Sequence, residues 1–286
     1  MRFSVNIPNF GDFADPETVA KVASAAEAAG WDALFVWDHV VHDKRRRRSF
    51  GDPWMLLTAA ALATTRIKLG PMVTPVPRRR PEQVARQVST LDNLSRGRVI
   101  FGAGLGGPVD DEYGSFGEPT DLSLLAERLD EGLDLLDRYW SGDSVTHDGR
   151  QYQVDDVTLL PRPVQRPRVP VWIGGYWPHR RPMRRAAAWD GAAPLFLSAG
   201  HGHAPPVGEV RDLVAYVHAH RRDDPGGPFE IVLGGASPVD PAGARDMLGP
   251  LREAGATWWD ERRPMDDDVD RLEPVLARIE AGPPAL

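Results

Sequence analysis

Apolar residues along this chain recur with two alternating periods. Short runs with an apolar side chain at every second position give way to longer stretches where it returns every three or four, and the unit repeats. Phe3-Ser4-Val5-Asn6-Ile7 has the two-residue period of a half-buried strand. In the helix that follows, Asp15 is the cap, Pro16 suits the first turn, Val19, Val22, Ala23 and Ala26 share one face, and Gly30 ends it in the left-handed conformation. Ala33-Leu34-Phe35-Val36-Trp37 is the second strand, and Leu56, Leu57, Ala60 and Ala61 mark the second helix. Ile67-Lys68-Leu69-Gly70 comes next. A helix opened by Pro81, carrying Val84, Val88, Leu91 and Leu94 and closed by Gly97, leads to Arg98-Val99-Ile100-Phe101-Gly102. A long helix then aligns Leu122, Leu125, Leu129, Leu133 and Leu136 on one stripe.

Residues 141–168 break the rhythm. Asp148-Gly149, between Val145-Thr146 and Tyr152-Gln153-Val154, predicts a small hairpin. The alternation resumes with strands at Val169-Pro170-Val171-Trp172-Ile173, Gly191–Phe196, Phe229–Leu233 and Ala256–Trp259. Helices between and after them carry Val210, Leu213, Val214 and Val217, then Ala244, Met247, Leu248 and Leu251, then Leu272, Val275, Leu276 and Ile279. Eight strand-then-helix units predict an α/β fold, a closed (β/α)8 TIM barrel forming a single domain over residues 1–286, with a small insertion before strand five. A doubly wound open sheet is the alternative. It usually carries a glycine-rich turn after its first strand, and Pro8-Asn9-Phe10-Gly11 fits that poorly.

Composition narrows the function. With 42% hydrophobic residues there is enough for a sizeable core, and no run is long and apolar enough to predict a membrane span. The absence of cysteine excludes disulfides, thiolate metal sites and a cysteine nucleophile. Together with an N-terminus that reads as a strand and not as a signal peptide, it points to the cytoplasm. A net charge of −7 gives no general reason to bind nucleic acid or anionic lipid. Locally, Arg45-Arg46-Arg47-Arg48 and Arg78-Arg79-Arg80 read either as solvated loops or as guides for an anionic ligand.

In such a barrel the chemistry sits where the strands end. That selects Asn6 and Asn9, Trp37, Asp38 and His39, Pro71 to Thr74, the run Gly102-Ala103-Gly104-Leu105-Gly106-Gly107, Gly174-Gly175-Tyr176-Trp177, and Asp260 with Glu261. His39 suits acid–base work, since histidine titrates near neutrality; it equally suits a hydrogen bond to the rim. Gly174-Gly175 reads as a phosphate-binding turn at the start of a helix, or simply as a tight connection. His201-Gly202-His203 resembles half of a zinc site, and with a carboxylate such as Asp260 it would suit a metal-dependent barrel hydrolase; no carboxylate–histidine set completes it, so no metal is expected.

Four segments together resemble a known family: Ala33 to His39; Leu69-Gly70-Pro71-Met72-Val73-Thr74-Pro75; Leu91 to Val99 running into Gly102-Ala103-Gly104; and Pro170-Val171-Trp172-Ile173-Gly174-Gly175 followed by Arg185 to Gly191. Their order and spacing are similar to those of the luciferase-like monooxygenase superfamily of FMN- and coenzyme F420-dependent oxidoreductases. The resemblance implies hydride or oxygen chemistry on a small organic substrate, with F420 favoured over FMN because Asp38-His39 resembles the F420 branch. It implies that Asp38 and His39 flank the reactive ring, that Met72-Val73-Thr74 forms a bulge behind it, often with a non-proline cis peptide, and that amides of Gly174, Gly175 and Tyr176 hold the phosphate. Gly104 and Leu105 fall in the strand-four loop near the cofactor, where relatives often carry a charged or polar side chain at the position of Leu105. The resemblance also implies a homodimer. A flavin-binding protein without turnover is the remaining alternative.

Overall fold

The computed structural model describes residues 1–221, 228–265 and 268–286. Its strands, in chain order, are β1 (Arg2–Ile7), β2 (Ala33–Val36), β3 (Lys68–Pro71), β4 (Thr74–Pro75), β5 (Phe101–Gly104), β6 (Val145–Asp148), β7 (Gln153–Val157), β8 (Val171–Trp177), β9 (Gly191–Phe196), β10 (Glu230–Gly235) and β11 (Trp258–Glu261). The helices are α1 (Pro16–Ala29), α2 (Pro53–Ala63), α3 (Pro81–Ser95), a short α4 (Val109–Glu112), α5 (Leu122–Ser141), α6 (Arg180–Ala186), α7 (Val207–His220), α8 (Pro241–Glu253) and α9 (Leu272–Glu280).

All strands but β6 and β7 form one parallel sheet in the order β3-β2-β1-β11-β10-β9-β8-β5-β4. The two ends of that order are halves of one strand. β3 pairs with β2, β4 pairs with β5, and a bridge from Leu69 to Val99 joins the same seam lower down, so the sheet closes as the expected barrel. The predicted third strand therefore runs further than its apolar run suggested, and it bends at Met72-Val73, a cis peptide. The β6–β7 hairpin is antiparallel and precedes β8, as its Asp148-Gly149 turn predicted.

Side-chain alternation along the strands builds two layers of core. Outward residues such as Val5, Ile7, Leu34, Val36, Ile173, Leu233 and Trp259 pack under the helices. Inward residues Ala33, Phe35, Met72, Ile100, Trp172, Ala193, Val232 and Trp258 fill the barrel itself. Trp172 is the hub of this plug, with ring centroids 5.5 Å from Phe35 and 5.2 Å from Trp258. Aromatic pairs of this kind add about 0.5–1.5 kcal/mol beyond their burial.

The helix starts follow the sequence. Asp15 caps α1 through the Thr18 amide, and Gly30 ends it at φ 94°. Three expectations need correction. The third helix is closed by Arg96 in the left-handed region at φ 57°, with Gly97 one step beyond. Leu94 and Leu122 lie on the exposed sides of α3 and α5, because each falls outside the arc that faces the barrel. The third correction matters for function: β8 runs through Gly174 and Gly175 to Trp177, since β9 stays in register with it as far as Phe196. There is no tight turn at the glycine pair, and the helix that follows, α6, begins only at Arg180.

Candidate active site

At the ends of β2, β4 and β5 the structure gathers charge that the chain spreads over seventy-odd residues. Asp38 is buried just past β2. Its carboxylate accepts from Thr74 Oγ1 (2.9 Å), Arg78 Nη2 (2.7 Å) and Arg79 Nη2 (2.7 Å). Arg78 and Arg79 get there because Val76–Arg78 form a single tight turn after β4, which carries the arginines back over the strand-two end. Arg78 also pairs with Glu112 on α4. Glu112 in turn lies 2.8 Å from Nδ1 of His39 and accepts the amides of Val40 (3.2 Å) and Val41 (3.3 Å). The backbone of His39 is clamped from the other side by Asn9, whose Nδ2 donates to the His39 carbonyl while its Oδ1 accepts the His39 amide.

The charges of this network cancel: two carboxylates, Asp38 and Glu112, face two guanidiniums, Arg78 and Arg79. A protonated His39 would add an uncompensated cation in a buried place. Burial, then the Arg78 charge, accordingly push His39 down to about 4, with Asp38 opposing. A carboxylate only accepts, so the neutral ring carries its proton on Nδ1 and donates it to Glu112, which leaves the Nε2 lone pair free.

His39 is not isolated. Trp37 sits edge-on between His39 (centroids 5.8 Å) and His201 (5.0 Å), and His42 lies 4.9 Å from His39 and stacks on Phe10. Burial pushes His42 down to about 4, with the neighbouring His39 and Arg48 adding to it. It pushes His201 down to about 3, helped by Arg262. The mouth is thus lined by three neutral imidazoles and an indole.

Beneath them, the bend at Met72-Val73 sets the Val73 side chain between two strands. A Cβ built on Gly104 would meet Val73 Cγ2 at 2.8 Å, and one on Gly174 would meet Val73 Cγ1 at 2.8 Å. These two glycines are therefore glycines because Val73 occupies their side-chain space. Met72 turns inward onto the aromatic plug and Thr74 is bound to Asp38. Gly175 has a different neighbour: its Cβ would strike Pro182 of α6 at 2.4 Å. Leu105 packs toward the helix layer, and its carbonyl accepts the Tyr113 hydroxyl. Tyr176, half exposed, stands at the rim. Among the described residues β5 accompanies β8 only to Ala103 and Ile173, so one edge of the last β8 residues faces the mouth instead of a strand.

The structure brings Asp38, His39, Thr74 and the Val73 platform together, with Gly104 and Gly174 beneath. It separates the hydrolase candidates. Asp260 is fully buried inside the barrel, where Ser4, Asn6 and Arg262 donate to it, and among the described residues no group of three or more His, Asp or Glu is placed to hold a metal. Sequence reasoning missed Glu112. It closes the acidic run Asp110-Asp111-Glu112, which looks like a solvated face; only its position at the foot of the glycine-rich loop gave any hint.

Three comparisons bear on this site. The model of the luciferase-like monooxygenase family matches residues 1–253. An F420-dependent glucose-6-phosphate dehydrogenase of Nakamurella multipartita is 33% identical over 167 residues, 57% of this chain and 48% of that protein, so the chain spans about half the length of this relative. Among solved structures, the coenzyme F420-dependent tetrahydromethanopterin reductase of Methanopyrus kandleri superposes with a TM-score of 0.76 at 18% identity, over 98% of this chain and 96% of that one. The oxygenating constituent of 3,6-diketocamphane monooxygenase from Pseudomonas putida, in complex with FMN, gives 0.74 at 16%, over 98% and 96%. No helix among the described residues is long and apolar enough to cross a membrane.

Proposed function

The chain belongs to the luciferase-like monooxygenase family, and from that premise we propose that it is an oxidoreductase that binds coenzyme F420 at the barrel mouth and acts on a small organic substrate, with FMN as the second candidate cofactor. The observation that carries the reading is His39 just past β2, its Nδ1 2.8 Å from the buried Glu112 carboxylate at the barrel mouth. The residues fit a planar, polar-edged ring. Val73 with Gly104 and Gly174 offers an apolar support, while His42 Nδ1 and Arg79 Nε are buried polar atoms without a protein partner. The relatives named for F420 and the Asp38-His39 pair favour F420. The likeness to an FMN-bound fold keeps FMN second.

When bound, F420 supplies or accepts a hydride; the protein supplies binding, orientation and exclusion of water. The open backbone edge at Gly174 to Tyr176 is where the cofactor phosphate would rest. His39 Nε2 takes a proton from a substrate hydroxyl, or returns one, while Glu112 holds the ring and Arg78 keeps Glu112 and Asp38 in place. His39→Ala is expected to lower turnover by about 10²–10⁴ while leaving cofactor affinity nearly intact. Separate titrations of the purified protein with F420 and FMN, followed by absorbance and fluorescence, test the reading. Tight binding of F420 supports it, and binding of neither contradicts it.

The same reading places a homodimer in the cytoplasm. Support for the dimer comes from α2, which has no charged residue and yet leaves Met55 (58%) and Leu62 (71%) exposed on its outer side. Light scattering giving a 31.5 kDa particle at micromolar concentration would contradict it.

A further inference from the structure

On β11, alternation points Trp258 and Asp260 into the barrel, and the residue after the strand, Arg262, continues that side to the mouth. Arg262 is only 6% exposed. Its pose is set from two directions. Nε donates to Asp260 Oδ2 at 2.7 Å, and the guanidinium lies across Gly234, where a Cβ would come within 2.5 Å of Nε and 2.7 Å of Cζ. Asp260 does not depend on Arg262 alone, because Ser4 Oγ (2.6 Å) and Asn6 Nδ2 (2.7 Å) also donate to it.

A structural ion pair would normally present the fork of the guanidinium to the carboxylate. Here Asp260 meets the side nitrogen only. Among the described residues the two terminal nitrogens, the face that fits a planar or tetrahedral anion, make no hydrogen bond, and Arg262 lines a small cleft at the mouth. That cleft is lined by Phe196, His201, His203, Gly234 and Arg262. His201 Nε2 is buried there without a partner. Through Trp37 the cleft adjoins His39, 5.0 Å from His201 and 5.8 Å on to His39 between ring centroids. A rigid, half-committed arginine and an orphaned imidazole nitrogen thus share one pocket a single indole away from the proposed proton acceptor.

We propose that this cleft is the substrate's anchoring subsite and that it takes an anionic group, a carboxylate, sulfonate or phosphate, on the terminal nitrogens of Arg262. The inference rests on the oxidoreductase reading for the word substrate. The anion site itself stands without it. Anchoring at Arg262 leaves the reactive carbon to lie toward His39, on the far side of Trp37. Arg262 is here a binding and specificity residue, and His201 offers a second polar contact to the same group.

The test titrates the whole chain with acetate, methanesulfonate and inorganic phosphate at constant ionic strength, with and without saturating cofactor. Tryptophan fluorescence and the guanidinium NMR resonances of Arg262 are followed. The expected result is saturable binding of at least one anion, unaffected or strengthened by cofactor and weakened at least tenfold in Arg262→Lys, which keeps the charge and loses the fork. Which of the three binds best identifies the class. If Arg262→Lys does not fold, Gly234→Ala displaces the guanidinium with its charge intact and should weaken the same anion. Binding that is unchanged in a folded variant, no saturable binding of any anion, or displacement of the anion by cofactor would overturn the inference. Anion binding in a protein that takes up neither cofactor would leave the subsite standing and remove the oxidoreductase reading instead.

Discussion

Arg78-Arg79-Arg80 and Arg45-Arg46-Arg47-Arg48 are near twins in sequence, both follow a barrel strand, and they end in different physical situations. Arg78 and Arg79 are 8% and 18% exposed and hold Asp38 and Glu112. In the other run Arg45, Arg46 and Arg47 are exposed, Arg46 pairs with Asp43 three residues away, and only Arg48 turns inward, to Asp270 and the face of Phe10. The difference comes from the backbone. Arg78 follows a Pro-Val-Pro turn that aims it at buried carboxylates, whereas the first run lies on an open loop with Arg47 at φ 47°. A charge run is thus a site only where rigid chain delivers it to an opposite charge that water cannot reach. The expectation of a solvated loop holds for Arg45 to Arg47 and fails for Arg78 and Arg79; guidance of an anionic ligand by at least one run is left to experiment.

Removing one member of the inner network should break the comparison most sharply. Arg78→Ala leaves Asp38 and Glu112 undercompensated in a buried place, and a loss of about 3–5 kcal/mol is expected from chemical denaturation. A loss below 1 kcal/mol would mean that water reaches those carboxylates. Next in size is the platform that the network overlooks. Gly174→Ala sets a Cβ against Val73 and should cost about 1–3 kcal/mol of stability by overpacking, with cofactor affinity falling as Val73 moves. A neutral outcome in both readouts would show that Val73 yields freely.

The mouth and the outer loops should also differ in their response to acid. His39, His42 and His201 have folded values near 4, 4 and 3, below the ordinary 6.5. As pH falls through 6.5 the unfolded chain takes up protons that the folded mouth refuses, so stability declines from about pH 6.5 to about pH 4 and is flat in this respect above 7. His39→Gln should make that decline shallower, and an unchanged slope would mean that His39 takes up its proton in the fold as it does in the unfolded chain. The smallest effect belongs to the outer run: Arg45→Ser with Arg47→Ser should shift stability by no more than about 0.5 kcal/mol. If they instead weaken F420 binding at low salt and not at high salt, the outer arginines steer the cofactor after all.

Most of the barrel was legible because its strands and helices bury opposite faces, and burial writes a period into the chain. Asp15 and Gly30 added reliable ends to the first helix. What escaped depends on partners distant in sequence. Gly174-Gly175 reads as a turn in isolation, yet β9 supplies a ladder through Trp177 and keeps it straight. α6 was expected directly after the glycine pair and starts only at Arg180, because its four arginines and Pro182 give it no apolar stripe to mark its bounds. In the site, His39 and Asp38 were visible from their place after a strand. Glu112 and Arg78 were not, since nothing local distinguishes a buried member of a charged run from its solvated neighbours. Only Glu112 of its acidic run is buried, at 1%.

The mouth network holds His39 as a neutral ring, with its proton on Nδ1 toward Glu112 and a free lone pair on Nε2. Nitrogen-15 NMR of the histidine rings across pH reads this directly. At pH 7 His39 is expected as an Nδ1-protonated neutral ring that gains its second proton only near pH 4 and loses this tautomer preference in Glu112→Gln. An imidazolium at pH 7, or a proton on Nε2 in the intact protein, would contradict it.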